Sequence, residues 1–157
     1  MASQEIPTDC DDIDMVPLSL DVASHHTVHY GSNDGFKLDV DQGTATIGDT
    51  ITFRLESTTS DHVQTGNRRR YTIQKQSGDQ WDHIFSVKGQ LVIDPDRVRH
   101  APGEGFEWSF EMTPVGLSSE YSEYWVCSEL TSGQYRFVYL ALPDWNAVAA
   151  EFELCDQ

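Results

Sequence analysis

Three histidines stand close together early in the chain: His25, His26 and His29. In a helix or a strand alike, His25 and His29 share a face, and imidazoles at this spacing can hold zinc or nickel. The competing reading is a polar arm ahead of the first strand, and it is the one adopted: no metal or other cofactor is expected. Asp39-x-Asp41 and Asp94-Pro95-Asp96 offer carboxylates to calcium, but neither has the glycine and distal bidentate acid of a complete calcium loop. Both read as solvated acids. The sequence has no Gly-x-Ser-x-Gly elbow, no Gly-rich phosphate loop and no His-Glu-x-x-His. With 26 acids present, a glycosidase-type pair cannot be told from background. The expectation is a protein that does not catalyse.

Binding chemistry is better represented. Pro143-Asp144-Trp145-Asn146 links two apolar runs near the end of the chain and places Trp145 at the loop tip. An exposed Trp on such a loop is a common interface anchor; the alternative is that it folds back to cap the core. Arg68-Arg69-Arg70 is the only basic run. Its side chains are expected to pair with neighbouring acids, the minor reading being a patch for an anionic partner. Ten bases against 26 acids leave a net charge of −16, so nucleic acid is a poor partner. Many Asp, few Lys and a low isoelectric point resemble proteins of salt-loving archaea. Such a chain repels itself at low ionic strength and is relieved when salt screens it.

The elements that would position these groups are short strands. Phe36, Leu38 and Val40 alternate with Lys37 and Asp39. Ile51, Phe53 and Leu55 alternate with Thr52, Arg54 and Glu56, the clearest half-buried strand. Tyr71 and Ile73, the stretch 81–85, the run Leu91-Val92-Ile93, then Phe106, Trp108 and Phe110, Tyr135, Phe137 and Tyr139, and finally 147–154 continue the pattern. Tyr121, Tyr124 and Trp125 sit at helical spacing and predict a short helical turn near residues 119–127. Residues 1–41 carry nine acids and one base. Residues 1–15 therefore read as an acidic flexible tail, 16–35 as an arm or extra strand, and 36–157 as one folded domain. No run is long and apolar enough to span a bilayer, and the first residues lack the pattern of a signal peptide. A surface or secreted location would require a removed leader; otherwise the expectation is the cytoplasm.

Four signatures, in order, carry a resemblance. Gly48-Asp49-Thr50-Ile51-Thr52-Phe53-Arg54-Leu55 is similar to the second strand of bacterial immunoglobulin-like domains. Gly78-Asp79-Gln80-Trp81 resembles a middle hairpin of those domains, and Ala101-Pro102-Gly103-Glu104 before Trp108 resembles their "P-G-E" turn. Leu130-Thr131-Ser132-Gly133-Gln134-Tyr135 looks like their tyrosine corner, in which the Tyr hydroxyl bonds back to upstream backbone. The chain also resembles the intracellular proteinase-inhibitor domain family, which shares these signatures. The resemblance implies an all-β, immunoglobulin-like antiparallel sandwich of about 7–9 strands. It gives structural roles to Leu130, Gly133, Tyr135, Trp81 and Trp108. It also places the loop 57–67 and the Trp145 loop at one end. That makes Trp145, Asp144, Asn146, His62 and Asn67 the candidates for contacting a protein partner, with proteinase inhibition as the alternative function. In such a fold Cys155, closing the last strand, lies near Cys127, just before the corner. A Cys127–Cys155 bridge and two free thiols are both open.

Overall fold

The structure is a computed structural model describing residues 4–18, 27–33, 35–89, 97–118, 124–143 and 146–156. In chain order the strands are β1 (Met15–Pro17), β2 (Thr27–Tyr30), β3 (Ser32–Asn33), β4 (Phe36–Val40), β5 (Thr44–Thr46), β6 (Thr50–Ser57) and β7 (Val63–Thr65), followed by β8 (Tyr71–Ser77), β9 (Gln80–His83), β10 (Ser86–Lys88), β11 (Val98–His100), β12 (Gly105–Glu111), β13 (Gly133–Tyr139) and β14 (Asn146–Cys155). The protein is all-β, with one 3-10 turn (Thr8–Asp11) and one short helix, α1 (Pro114–Ser118), among the described residues.

β6 shows why these residues form strands. Ile51, Phe53 and Leu55 are at most 1% exposed, while Arg54 between them faces water, the period of two that a sheet with one buried face requires. β12 pairs with residues 50–56 of β6 on one side, and β4 followed by β3 completes a four-stranded sheet on the other. The second sheet runs β2-β14-β13-β8-β9, and β5 joins it parallel to β14. The two sheets meet through aromatic rings. Phe53 of the first stacks on Phe137 of the second with centroids 4.5 Å apart, and Trp108 lies 4.9 Å from Phe137. Burying each such ring contributes about 1.5–3 kcal/mol.

Gly31 carries the chain from one sheet to the other. Its N–H donates to the Ala149 carbonyl (2.9 Å), and its own carbonyl accepts from Leu38 (2.8 Å). Its φ of +84° is a conformation that residues with a Cβ seldom adopt. At the start of β13, Gly133 approaches Lys75 so closely that a Cβ would sit 3.0 Å from Lys75 Cε. Two residues on, buried Tyr135 donates its hydroxyl to the Thr131 carbonyl at 2.6 Å. Burial raises this phenol above its ordinary pKa, with the Thr131 bonds opposing. Leu130, 6% exposed, and fully buried Trp108 are core residues, whereas Trp81 is half-buried and lies beneath the Arg136 guanidinium at 4.4 Å.

Several expectations are corrected. Among the described residues fourteen strands stand where about 7–9 were expected, because the edges break into short pieces and two ribbons, β1–β10 and β7–β11, stand apart from the main sheets. The helical turn expected at 119–127 is not seen at its described end. Trp125 bridges Ser86 as a strand would, with reciprocal backbone bonds of 2.6 and 2.9 Å. Residues 119–123 and the run 91–93 lie outside the described residues. Helix α1 comes earlier, where Pro114 suits a first turn and the Thr113 hydroxyl accepts from Gly116 N–H at 3.0 Å.

The described part of the segment expected as a free acidic tail, residues 4–15, is tied to the rest of the protein. Cys10 is disulfide-bonded to Cys127, 117 residues away. The Gln4 side chain binds both backbone groups of Leu130 at 2.8 Å. β1 pairs with β10, and Lys88 Nζ meets Asp9 at 3.1 Å and Asp12 at 3.6 Å. Cys127 is therefore not bridged to Cys155, which is a free, exposed thiol. Strand parity gives the reason: Leu154 faces the core, so Cys155 faces away from it.

Candidate interaction surface

At one end of the sheets the backbone of residues 66–70 acts as a hub. Trp108 Nε1 donates to the Arg68 carbonyl (3.0 Å) and the Tyr124 hydroxyl to the Arg69 carbonyl (3.0 Å). The Tyr139 hydroxyl donates to the carbonyls of Gly66 (2.9 Å) and Asn67 (3.0 Å). Leu140 N–H donates to the Arg70 carbonyl, and Gly66 N–H to that of Ala141, each at 2.9 Å. Three aromatic groups rooted in the core thus fix a surface turn by its carbonyls. The burial this requires raises the Tyr139 phenol far above its ordinary pKa.

Asn67 adds a side-chain acceptor, taking Arg69 N–H at 2.8 Å. The loop before it is partly strand: β7 pairs with β11, and His62 stands exposed just outside. Asn146 opens β14, its carbonyl accepting Leu142 N–H at 3.2 Å. Since Gly66 is bonded to Ala141, the structure brings Asn67 beside the segment that leads to Asn146. Asp144 and Trp145 lie outside the described residues, as do His25 and His26. His29 is exposed on β2, and no group of three or more metal-binding side chains occurs among the described residues. Of the arginine run, Arg68 donates to the Glu107 backbone carbonyl and lies 5.8 Å over the Trp108 ring.

Beneath this end is the buried His100, its Nε2 bonded to Thr65 Oγ1 at 2.8 Å and its ring edge-on to Phe106 at 4.9 Å. Burial lowers its pKa, against the charge of Glu104. A cleft of about 430 Å³ opens here between Arg54, His100, Glu104 and Phe106, and another of about 420 Å³ lies between Lys75, Ser86, Cys127 and Tyr135. The His100 pKa has a consequence for stability. With the folded value below the unfolded one, the unfolded chain binds more protons in the window between them. Stability therefore rises with pH through that window and is lost as pH falls below the unfolded value of about 6.5. Urea unfolding from about pH 5.5 to 7.5 is expected to show this slope in the wild type and a flatter one in His100→Gln. Equal slopes would assign the effect to other groups.

Sequence reading missed the hub, because three indole and phenol groups far apart in the chain converge on it.

Comparison with protein-family models and with curated proteins finds no match. Among solved structures the chain is similar to a β-glucosidase from Erythrobacter marinus, with a TM-score of 0.39 and 15% identity, over 77% of this chain and 15% of that one. Likeness at that level defines neither fold family nor activity.

Proposed function

We propose that the chain is a non-catalytic interaction module of immunoglobulin-like type that presents one loop end to a protein partner. The strand order supports the type. The sheet β12-β6-β4, the sheet β14-β13-β8-β9 with β5 parallel to β14, and the Tyr135 hydroxyl bonded to the Thr131 carbonyl are features that such a sandwich and its tyrosine corner would have. The observation that carries the function is the hub, where core side chains hold the loop backbone at 66–70 and so present its side chains from a rigid base. The Cys10–Cys127 bond favours an oxidising compartment, and with it a surface or secreted setting.

The test is a His62→Ala/Trp145→Ala double variant. Its stability is expected to stay within about 0.5 kcal/mol of wild type, while partners retained by the wild type from an extract are lost. An unchanged partner set would remove the loop-end reading. A large stability loss would make Trp145 a core cap. Stoichiometric inhibition of a member of a serine-protease panel would replace the proposal with proteinase inhibition.

A further inference from the structure

We propose that the β7–β11 ribbon is an acid-released flap, docked through the neutral side chain of His100 and lifted from Phe36 and Phe106 when that imidazole takes up a proton. The proposal does not depend on the loop-end reading. The ribbon forms a sheet of its own, three residue pairs long. Among the described residues, no backbone hydrogen bond joins 63–65 or 98–100 to either main sheet. Side chains therefore dock it. Thr65 and His100 are its buried residues, at 2% and 3% exposed, and Val63 packs half-buried against the core. The His100 ring meets Phe106 of β12 at 4.9 Å and Phe36 of β4 at 5.9 Å, both edge to face. One imidazole thus touches the two strands that flank β6. The chain is fixed on either side of the ribbon. Gly66 is bonded to Ala141 and to the Tyr139 hydroxyl, and Gly103 and Glu104 are bonded to Ser57. Those bonds are the hinges about which 63–65 and 98–100 swing.

The surroundings of the ring suit its neutral form. It lies between two phenyl rings, and its hydrogen bond goes to a neutral hydroxyl, Thr65 Oγ1 at 2.8 Å. A buried cation there lacks the solvation that water gives it. Glu104 is the acid that acts on it, and its Oε1 is taken by the Ala101 N–H at 2.7 Å. The other charged groups about the cleft are Arg54 and Glu56 of β6, which pair with each other, and Glu107 of β12. On the ribbon side, His62 is exposed just outside β7, and alternation turns the exposed Arg99 away from His100. β4 brings Phe36 to the ring and keeps Lys37 and Asp39 on its wet face. Burial outweighs Glu104, so the docked ring takes a proton less readily than a free one. Lifting the ribbon returns the ring to water. At about pH 5 an imidazole of ordinary pKa, about 6.5, is protonated over neutral by about thirty to one. Acid therefore raises opening by at most about thirtyfold over neutral pH. The released ribbon uncovers Phe36 and Phe106 and widens the cleft of about 430 Å³ beside His100.

The experiment is native-state hydrogen exchange on the whole chain at about pH 7.5 and about pH 5, without urea and with urea up to about 1 M. Protection factors remove the intrinsic effect of pH on exchange. Amides bonded across the ribbon are expected to open without sensitivity to urea, unlike those of β6 and β13, because a local opening exposes little surface. Their protection falls by between about three- and about thirtyfold from the higher pH to the lower. His100→Gln removes that fall. His62→Ala, which takes away the exposed histidine beside the ribbon, keeps it. The proposal is overturned if the ribbon amides share the urea sensitivity of the core, since the ribbon then opens only when the whole domain unfolds. Protection that does not change with pH overturns it equally, as does a fall that survives in His100→Gln or vanishes in His62→Ala. Should His100→Gln fail to fold, the wild type and His62→Ala decide alone.

Discussion

Reducing the Cys10–Cys127 bond is expected to lower the stability of the protein by about 4–5 kcal/mol, the chain-entropy value for a closed loop of roughly a hundred residues. The bond joins positions 117 residues apart, so nearly three quarters of the chain lies within the loop that it closes in the unfolded state. In the folded state the bond has company. Gln4 copies a strand neighbour against Leu130, the β1–β10 pairs run beside it, and Leu18 is 4% exposed with its N–H on the Phe85 carbonyl. These contacts keep the arm in place on the folded protein after reduction, so the loss falls mainly on the unfolded state. Cys10→Ser and Cys127→Ser should match the reduced wild type in urea unfolding, and Cys155→Ser should match the oxidised one, because its thiol is free and exposed. Three titratable thiols in the unreduced, denatured chain would show that the bond is absent. A loss in Cys155→Ser equal to that in Cys10→Ser would show that the wrong pair had been assigned.

Why the bond was hidden in the sequence is instructive. Cys10 sits between Asp9 and Asp11-Asp12, a composition that favours solvated chain. Nothing local reveals that Asp9 and Asp12 meet Lys88, whose amine the Asp9 hydrogen bond raises in pKa, or that this amine lies 4.9 Å over Trp125. The strands were legible wherever one face is buried and the other wet. β4, β6 and β12 alternate in sequence as they do in burial, because one-sided burial imposes the period. The corner was legible for a related reason: Gly133 and Tyr135 must stand at fixed offsets for the hydroxyl to reach the Thr131 carbonyl. At the described end of the expected helical turn, Tyr124 and Trp125 are not helical. Tyr124 is buried and sends its hydroxyl to Arg69, and Trp125 spends its backbone on Ser86. Of the interaction surface, Asn67 and its loop were readable as polar turn chemistry. The hub was not, since its aromatic partners lie 40 to 73 residues distant.

Trp108 joins the core to that hub, and its replacement is expected to damage both. The indole is fully buried, within 6.0 Å of the rings of Tyr71, Phe106, Phe137 and Tyr139. Trp108→Ala removes this packing and leaves a cavity in the core, a loss of about 3–5 kcal/mol. That approaches the whole stability of a domain of ordinary margin, so the variant should unfold partially or fully at moderate temperature. Trp108→Phe separates the two roles. Much of the ring volume survives, but the Arg68 carbonyl loses the Nε1–H donor found 3.0 Å away. Leaving that acceptor without its partner costs about 1–3 kcal/mol, and the arginine turn loses one of its three aromatic anchors. Hydrogen exchange should then speed up at 66–70 while the amides of β6 and β13 keep their protection. Exchange accelerated evenly across both sheets would mean that Trp108 supports the core alone and that the rigid loop end has another source.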